Sequence, residues 1–422
     1  MKQRKRTWMF LYACIYLMQM VQAQTGVEVF NDTTNTSQDS SLLCDSTFND
    51  SIPLPWPMNI QKRLDQITRS PLLETSQAGI IVWDLDADSV IYKFNERQLM
   101  RPASTMKVLT AVAALDLLGG SHQINTHIKY TGRIDNRTLN GNIYCIGGFD
   151  PKFDAEDMEA CLAAIKGLGI DTIRGDIYAD LSMKTPELLG EGWCWDDKNP
   201  TLTPLLYNGK DQFLQQFEQT LREGKITLYS ELKEGDTPAD AKILCTRSHA
   251  LWQVLDRMMK ESDNLYAEAV FYQIAAAKGI KPAKNSNARG NINQFVRKLG
   301  LNPSNYRIAD GSGLSLYNYL TPELLVQTLR YAAQNTAVHS YLNASLPLAS
   351  VDGTLKNRMR KTAASQNVRA KTGTVTGIVS LAGYCTAANG RRLCFAIINQ
   401  GLIRAAKGRQ FQDWVCRALC EP

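Results

Sequence analysis

Pro102-Ala103-Ser104-Thr105-Met106-Lys107-Val108-Leu109-Thr110-Ala111-Val112-Ala113-Ala114-Leu115 places a serine and a lysine three residues apart at the front of an apolar helix. Pro102 suits a helix start and Gly119-Gly120 a stop, so the pattern predicts a helix over Ser104 to Leu118. Val108, Leu109, Val112, Ala113 and Leu115 leave it little polar face, and such a helix belongs in a core. Residues three apart share a helical face, so the Ser104 hydroxyl and the Lys107 amine fall within hydrogen-bonding reach. The helix start adds backbone N–H groups and the positive end of the dipole beside the serine. A lysine serves as a base only when neutral, a state favoured by burial and by nearby positive charge, which Lys371 could supply. Alone, Ser-x-x-Lys occurs by chance in many chains.

Two further strings give the pair a context. Ser262-Asp263-Asn264 falls in a stretch, Ala250 to Ala277, whose pattern predicts helix. Ser262 offers a hydroxyl for proton relay, and Asn264 offers both a donor and an acceptor to orient a lysine or a substrate amide. The same string taken alone is an ordinary helix cap. Lys371-Thr372-Gly373 opens a strand-like run to Tyr384. There Lys371 and Thr372 are expected to meet a substrate carboxylate, and Gly373 lets a ligand approach the backbone of a sheet edge. The N–H groups of Ser104 and Thr374 are the candidate oxyanion donors. In this order the three strings describe acyl transfer by a serine that needs no histidine. Other nucleophile schemes find no support. There is no Gly-x-Ser-x-Gly elbow, and Gly311-Ser312-Gly313 has the wrong spacing. His122, His127, His249 and His339 show no partnership along the chain and are assigned surface or structural places.

Composition fits an enzyme of two or three domains: 422 residues, 44% of them apolar. Removing Lys2, Arg4, Lys5 and Arg6 with an N-terminal segment takes the formal charge from +6 to +2, which excludes a nucleic-acid partner. Those cations precede an apolar run, Trp8 to Met20, that ends at Val21-Gln22-Ala23, the layout of a cleaved export signal over residues 1–23. The run is short for a bilayer span, and it continues past Cys14, which argues against lipidation there. Residues 24–55 are polar and aperiodic and are expected to form a flexible leader. Its Asn31-Asp32-Thr33 and Asn49-Asp50-Ser51 have the form of glycosylation sequons.

Of ten cysteines, nine remain after cleavage, with no Cys-x-x-Cys and only four histidines in the chain, so no metal or other cofactor is expected. Cys385 and Cys394 stand equidistant from Asn389-Gly390, a favoured two-residue hairpin turn. In that register they face each other and would form a disulfide in an exported chain, the other reading being two buried thiols.

Residues 78–95 read as a hairpin around a polar Asp-rich turn. From 125 to about 190, short strands alternate with glycine and aspartate, as in Ile143-Tyr144-Cys145-Ile146 and Gly175-Asp176-Ile177-Tyr178-Ala179-Asp180. A helix is expected at Phe213 to Leu221. The last third predicts strands at 368–374, 377–386 and 392–399 and a helix over 407–420. The division expected is 56–124 with 245–422 as one domain and 125–244 as an inserted α/β unit.

The motif trio, with Gly147-Gly148-Phe149-Asp150-Pro151, Gly192-Trp193-Cys194-Trp195, Asp310-Gly311-Ser312-Gly313-Leu314-Ser315 and Asp352-Gly353-Thr354-Leu355, resembles the D-alanyl-D-alanine carboxypeptidase/endopeptidase family of low-molecular-mass (class C) penicillin-binding proteins. The likeness runs from about residue 56 to 420. It implies an α/β (α+β) transpeptidase domain of β-lactamase-like fold, an antiparallel sheet flanked by helices with a helical subdomain, carrying a smaller α/β insert. It further implies a periplasmic hydrolase acting on peptidoglycan stem peptides through an acyl-enzyme on Ser104, with β-lactams acylating the same serine. Peripheral membrane association is compatible with it. Ser104, Lys107, Ser262 and Asn264 take the catalytic places; Lys371, Thr372, Gly373 and Thr374 take the substrate-binding ones. Asp180 matches an aspartate associated in the family with the amino group of the peptide's diamino acid. Two features depart from the pattern: room for only one inserted domain, and Leu316 where the family usually has arginine after Gly-Leu-Ser. A β-lactamase and a non-catalytic wall-binding protein of the same fold are the alternatives. Nitrocefin turnover separates the first and D-alanine release the second.

Overall fold

The computed structural model describes residues 54–196 and 198–422; the expected export signal, and the leader up to residue 53, lie outside the described residues. In chain order the elements are α1 (Met58–Ile67), β1 (Gln77–Asp84), β2 (Ser89–Phe94), α2 (Met106–Leu118), β3 (Gln123–Tyr130), β4 (Arg133–Asp135), β5 (Thr138–Asn140), β6 (Ile143–Ile146), α3 (Ala155–Gly167), β7 (Thr172–Arg174), β8 (Ile177–Asp180), α4 (Phe213–Glu223), β9 (Thr227–Tyr229), β10 (Leu232–Glu234) and β11 (Lys242–Ala250). The helices α5 (Leu251–Lys260), α6 (Asn264–Ala276), α7 (Asn285–Lys298), α8 (Pro322–Gln334) and α9 (Thr336–Ser345) follow. The strands β12 (Arg369–Val375), β13 (Ile378–Thr386) and β14 (Arg392–Gln400) then lead into α10 (Ala405–Cys420).

Strands from the early and the late parts of the described residues meet in one antiparallel sheet of order β12-β13-β14-β1-β2. Its central strands are buried on both faces, which is why their sequences read as nearly unbroken apolar runs. Side chains alternate between the faces. Cys394, Ala396 and Ile398 of β14 join the core with α2, α6 and α8. Leu393, Phe395 and Ile397 face the core that holds α1 and α10. Helix α2 is buried from Met106 to Leu115, as its all-apolar surface demands. The segment after it builds a second sheet, β10-β8-β6-β3-β11, and a small third one, β4-β5-β7-β9. They share an apolar cluster that runs from Ile128 to Leu228. No helix among the described residues is long and apolar enough to cross a membrane.

Two sequence expectations are corrected. The stretch Ala250 to Ala277 is two helices, α5 and α6. Ser262 adopts φ 60° between them, and Asp263 caps α6 by accepting from the N–H groups of Leu265 and Tyr266 at 3.0 and 3.4 Å. The Cys385–Cys394 pairing fails by one residue. Tyr384 stands opposite Cys394 and Cys385 opposite Leu393. The turn is longer than Asn389-Gly390 alone, with Ala387 N–H donating to Arg391 O and Gly390 at φ 84°. An extra loop residue shifts the register by one and sends the two thiols to opposite faces. Both are free, and the sulfur atoms of Cys161 on α3 and Cys245 on β11 instead lie 3.7 Å apart.

Candidate active site

Ser104 sits in a single 3-10 turn, Ala103–Thr105, that feeds directly into α2. Lys107, on the first turn of α2, has no exposed surface. Its ammonium nitrogen donates to Ser104 Oγ at 3.0 Å, Asn264 Oδ1 at 2.7 Å and Ser312 O at 2.9 Å. Three acceptors match the three protons of an ammonium; on losing one, the amine turns a lone pair toward one of them. Burial pushes its pKa down to about 8, although Asp310, Glu268 and Asp263 pull the other way. Desolvation wins because no carboxylate touches the nitrogen.

The second lysine is equally enclosed. Lys371 donates to Ser262 Oγ and to Thr372 O, both at 2.7 Å. Burial, and then the charge of Lys107, holds its pKa well below the usual lysine range. Two lysines and two serines thus share one cleft, with Asn264 bonding one of the lysines. Strand β12 forms its wall, because a Cβ on Gly373 would stand 2.8 Å from the Ser104 nitrogen. Thr372 Oγ1 lies 2.8 Å from Thr354 Oγ1. Lys371 is buried, with its ammonium engaged by Ser262 Oγ and Thr372 O.

Asp180 stands apart from this group. Its carboxylate accepts from Ser182 N at 3.1 Å, from the Ser182 hydroxyl and from Thr237 N at 2.9 Å. All of these partners lie in the segment between the first two motifs. Leu316 is exposed.

The scaffold includes Glu268, which motif reading did not single out, and Asp310, which it quoted only as the start of a family string. Glu268, one helical turn after Asn264 on α6, accepts the N–H groups of Gly311 and Ser312 at 3.1 and 2.8 Å. It thereby fixes the carbonyl of Ser312 that receives Lys107. Asp310 collects the N–H groups of Gly313 and Ser315, Trp193 Nε1 and Asn318 Nδ2. Burial and then Asp310 push the Glu268 carboxyl up to about 8, so it is largely protonated at neutral pH. The available signal was a lone acid in the apolar run Ala267-Glu268-Ala269-Val270-Phe271. Glu268→Ala is expected to cost about 2–4 kcal/mol in chemical denaturation, because two buried donors lose their acceptor. Glu268→Gln keeps the acceptor and is expected to cost under about 1 kcal/mol. An equal cost for both would mean that the negative charge, rather than the oxygen, is needed.

Comparison with known proteins agrees with the geometry. The D-Ala-D-Ala carboxypeptidase 3 (S13) family matches this chain over residues 60–207 and 201–419. A D-alanyl-D-alanine carboxypeptidase of Actinomadura sp. strain R39 is 26% identical over 439 residues, covering 81% of each chain. Penicillin binding protein 4 of Haemophilus influenzae superposes with a TM-score of 0.77 at 25% identity, covering 84% of this chain and 98% of that one. The same protein in complex with a novel β-lactam gives 0.71 at 26% identity, with the same coverage. With the family match spanning nearly all the described residues, this chain belongs to the D-Ala-D-Ala carboxypeptidase 3 (S13) family.

Proposed function

We propose that this protein is a serine-type D-Ala-D-Ala carboxypeptidase acting on peptidoglycan stem peptides, exported by cleavage of residues 1–23 and working in the periplasm. The observation that carries the reading is the enclosed Lys107 nitrogen 3.0 Å from Ser104 Oγ, beside a second serine–lysine pair at 2.7 Å. On this reading residues 56–124 and 245–422 form the catalytic domain and 125–244 the insert.

Neutral Lys107 takes the hydroxyl proton as Ser104 Oγ attacks the carbonyl of the penultimate D-alanine. The oxyanion that forms is held by the N–H groups of Ser104 and Thr374. The proton passes to the leaving amine by way of Ser262, which Lys371 orients, and D-alanine departs. Asn264 fixes the Lys107 nitrogen throughout. Water then attacks the acyl-enzyme with the same base. A β-lactam acylates the same oxygen, but its opened ring stays attached as the leaving group, so deacylation is slow. Support comes from membership of the family and from the β-lactam complex of the Haemophilus influenzae relative.

Intact-protein mass spectrometry after benzylpenicillin, paired with D-alanine release from a pentapeptide, tests the proposal. A stable single adduct with D-alanine release supports it. Rapid nitrocefin turnover without D-alanine release would make it a β-lactamase instead.

The lysine also sets a pH dependence. Its folded pKa lies below the ordinary value, so the competent neutral form grows as pH rises through about 8. kcat/KM for D-alanine release is therefore expected to climb along an acid limb with its midpoint near that pH. A flat profile between about pH 6 and 9 would remove Lys107 as the titrating base.

A further inference from the structure

Strand β11 is an edge of the second sheet, and helix α3 packs against it. Arg247 Nε on the strand donates to Asp157 Oδ1 in the first turn of the helix at 2.6 Å. From that contact, Cys161 lies one turn further along the same face of α3, and Cys245 lies two residues back on the same face of β11. Four residues of helix advance about 6 Å, and two residues of strand advance about 6.6 Å. The two spans match, and the sulfur atoms meet at 3.7 Å. A register shift just before Cys245 turns both it and Leu244 toward the apolar cluster of this segment.

The two thiols are not equivalent. Cys161 is sealed in, whereas Cys245 on the sheet edge is half-buried. The Cys161 thiol donates to Cys245 and, with the charge of Arg247, holds Cys245 below the usual thiol range against the opposing effect of burial. The same bond, and then burial, push Cys161 up. A third cysteine, Cys145, shares the face, since Cys245, Ile128 and Cys145 stand side by side across β11, β3 and β6. Ile128 stands between it and Cys245.

We infer that Cys161 and Cys245 form a thiol–disulfide site, closed to a disulfide by exchange with a disulfide-bearing oxidant that reaches Cys245 from the sheet edge. The Cys245 thiolate attacks one sulfur of the oxidant and expels the other as a thiolate, leaving a mixed disulfide. Cys161 gives its proton to that thiolate and attacks the Cys245 sulfur, expelling the second one. Two protein thiols are oxidised and the oxidant is reduced to two thiols, the proton first lost by Cys245 ending on the second. The bond spans 84 positions of the chain and ties α3 to the strand that leads straight into α5, just beyond whose end Ser262 sits.

The test treats the full mature chain with glutathione disulfide, blocks remaining thiols with iodoacetamide and maps the peptides by mass spectrometry without reduction. A peptide linking Cys161 to Cys245, lighter by two hydrogens and resistant to alkylation, is expected. Cys161→Ser is expected to stop at a glutathione adduct on Cys245, and Cys245→Ser to take up glutathione on Cys161 at least about tenfold more slowly. Dithiothreitol is expected to lower the Tm of the oxidised wild type by about 3–8 °C more than that of Cys245→Ser, a comparison in which the other cysteines cancel. Labelling of Ser104 by a fluorescent penicillin reports that each variant is folded. The wild-type map decides without any variant: alkylated thiols at both positions, or a Cys145–Cys161 link in place of the expected one, overturns the site. Equal uptake of glutathione by the two serine variants overturns the assignment of Cys245 as the attacking thiol.

Discussion

Ser104→Ala is expected to abolish labelling by a fluorescent penicillin and to lower D-alanine release by at least about 10³-fold, since nucleophile and base act as a unit. The cleft contains a rival pair, because Ser262 Oγ bonds Lys371 at 2.7 Å, as close as any serine–lysine contact here. Three features favour Ser104. Its oxygen stands where α2 begins, so the helix start stabilises charge developing on it. Its own nitrogen faces Gly373 on β12, so attack and oxyanion binding occur at one spot. Ser262, by contrast, sits in the loop between two helices at φ 60°. The half-buried alanine should leave stability within about 1 kcal/mol of wild type. Retained labelling of Ser104→Ala would transfer the nucleophile to Ser262.

Much of this site was legible because its chemistry depends on local spacing. Ser104 and Lys107 share one helical turn, and the sequence alone sets their separation once the helix exists. The strands of the central sheet were legible for a similar reason: burial on both faces leaves β13 and β14 uniformly apolar. The fold class followed from the resemblance to a known family, which the three strings and the shorter strings around them carry.

What escaped the sequence depends on register or on distant partners. A turn longer by one residue reverses every side chain of a hairpin, so Cys385 and Cys394 part company although their spacing around Asn389-Gly390 looked symmetrical. The break between α5 and α6 was hidden because Glu261, Ser262 and Asp263 are all tolerated inside helices, and only the contact of Ser262 with Lys371 shows why the chain turns there. The full burial of Lys371 and its contact with Ser262, 109 residues earlier, come from tertiary packing that no local string records. Glu268 and Asp310 hold loops in place through backbone N–H groups, which no side-chain motif records.

Lys107→Ala carries the second large effect: a fall of about 10⁴-fold in the rate of acylation by penicillin and by peptide, the upper range for a general base. The cost has two origins that measurement can separate. Truncation leaves Asn264 Oδ1 and Ser312 O without their donor, a structural loss of about 1–3 kcal/mol for each that denaturation will report. The chemical loss is that of the only amine within reach of Ser104 Oγ among the described residues. Because Lys107 depresses the pKa of Lys371, its removal also lets Lys371 hold its proton more firmly, so the neighbour becomes a poorer substitute base. Small primary alkylamines should restore part of the acylation rate in Lys107→Ala by occupying the vacated channel, while leaving Ser104→Ala inert. The double variant should be no slower than the serine variant alone. Acylation of Lys107→Ala within about tenfold of wild type would assign the proton to Lys371 acting through Ser262.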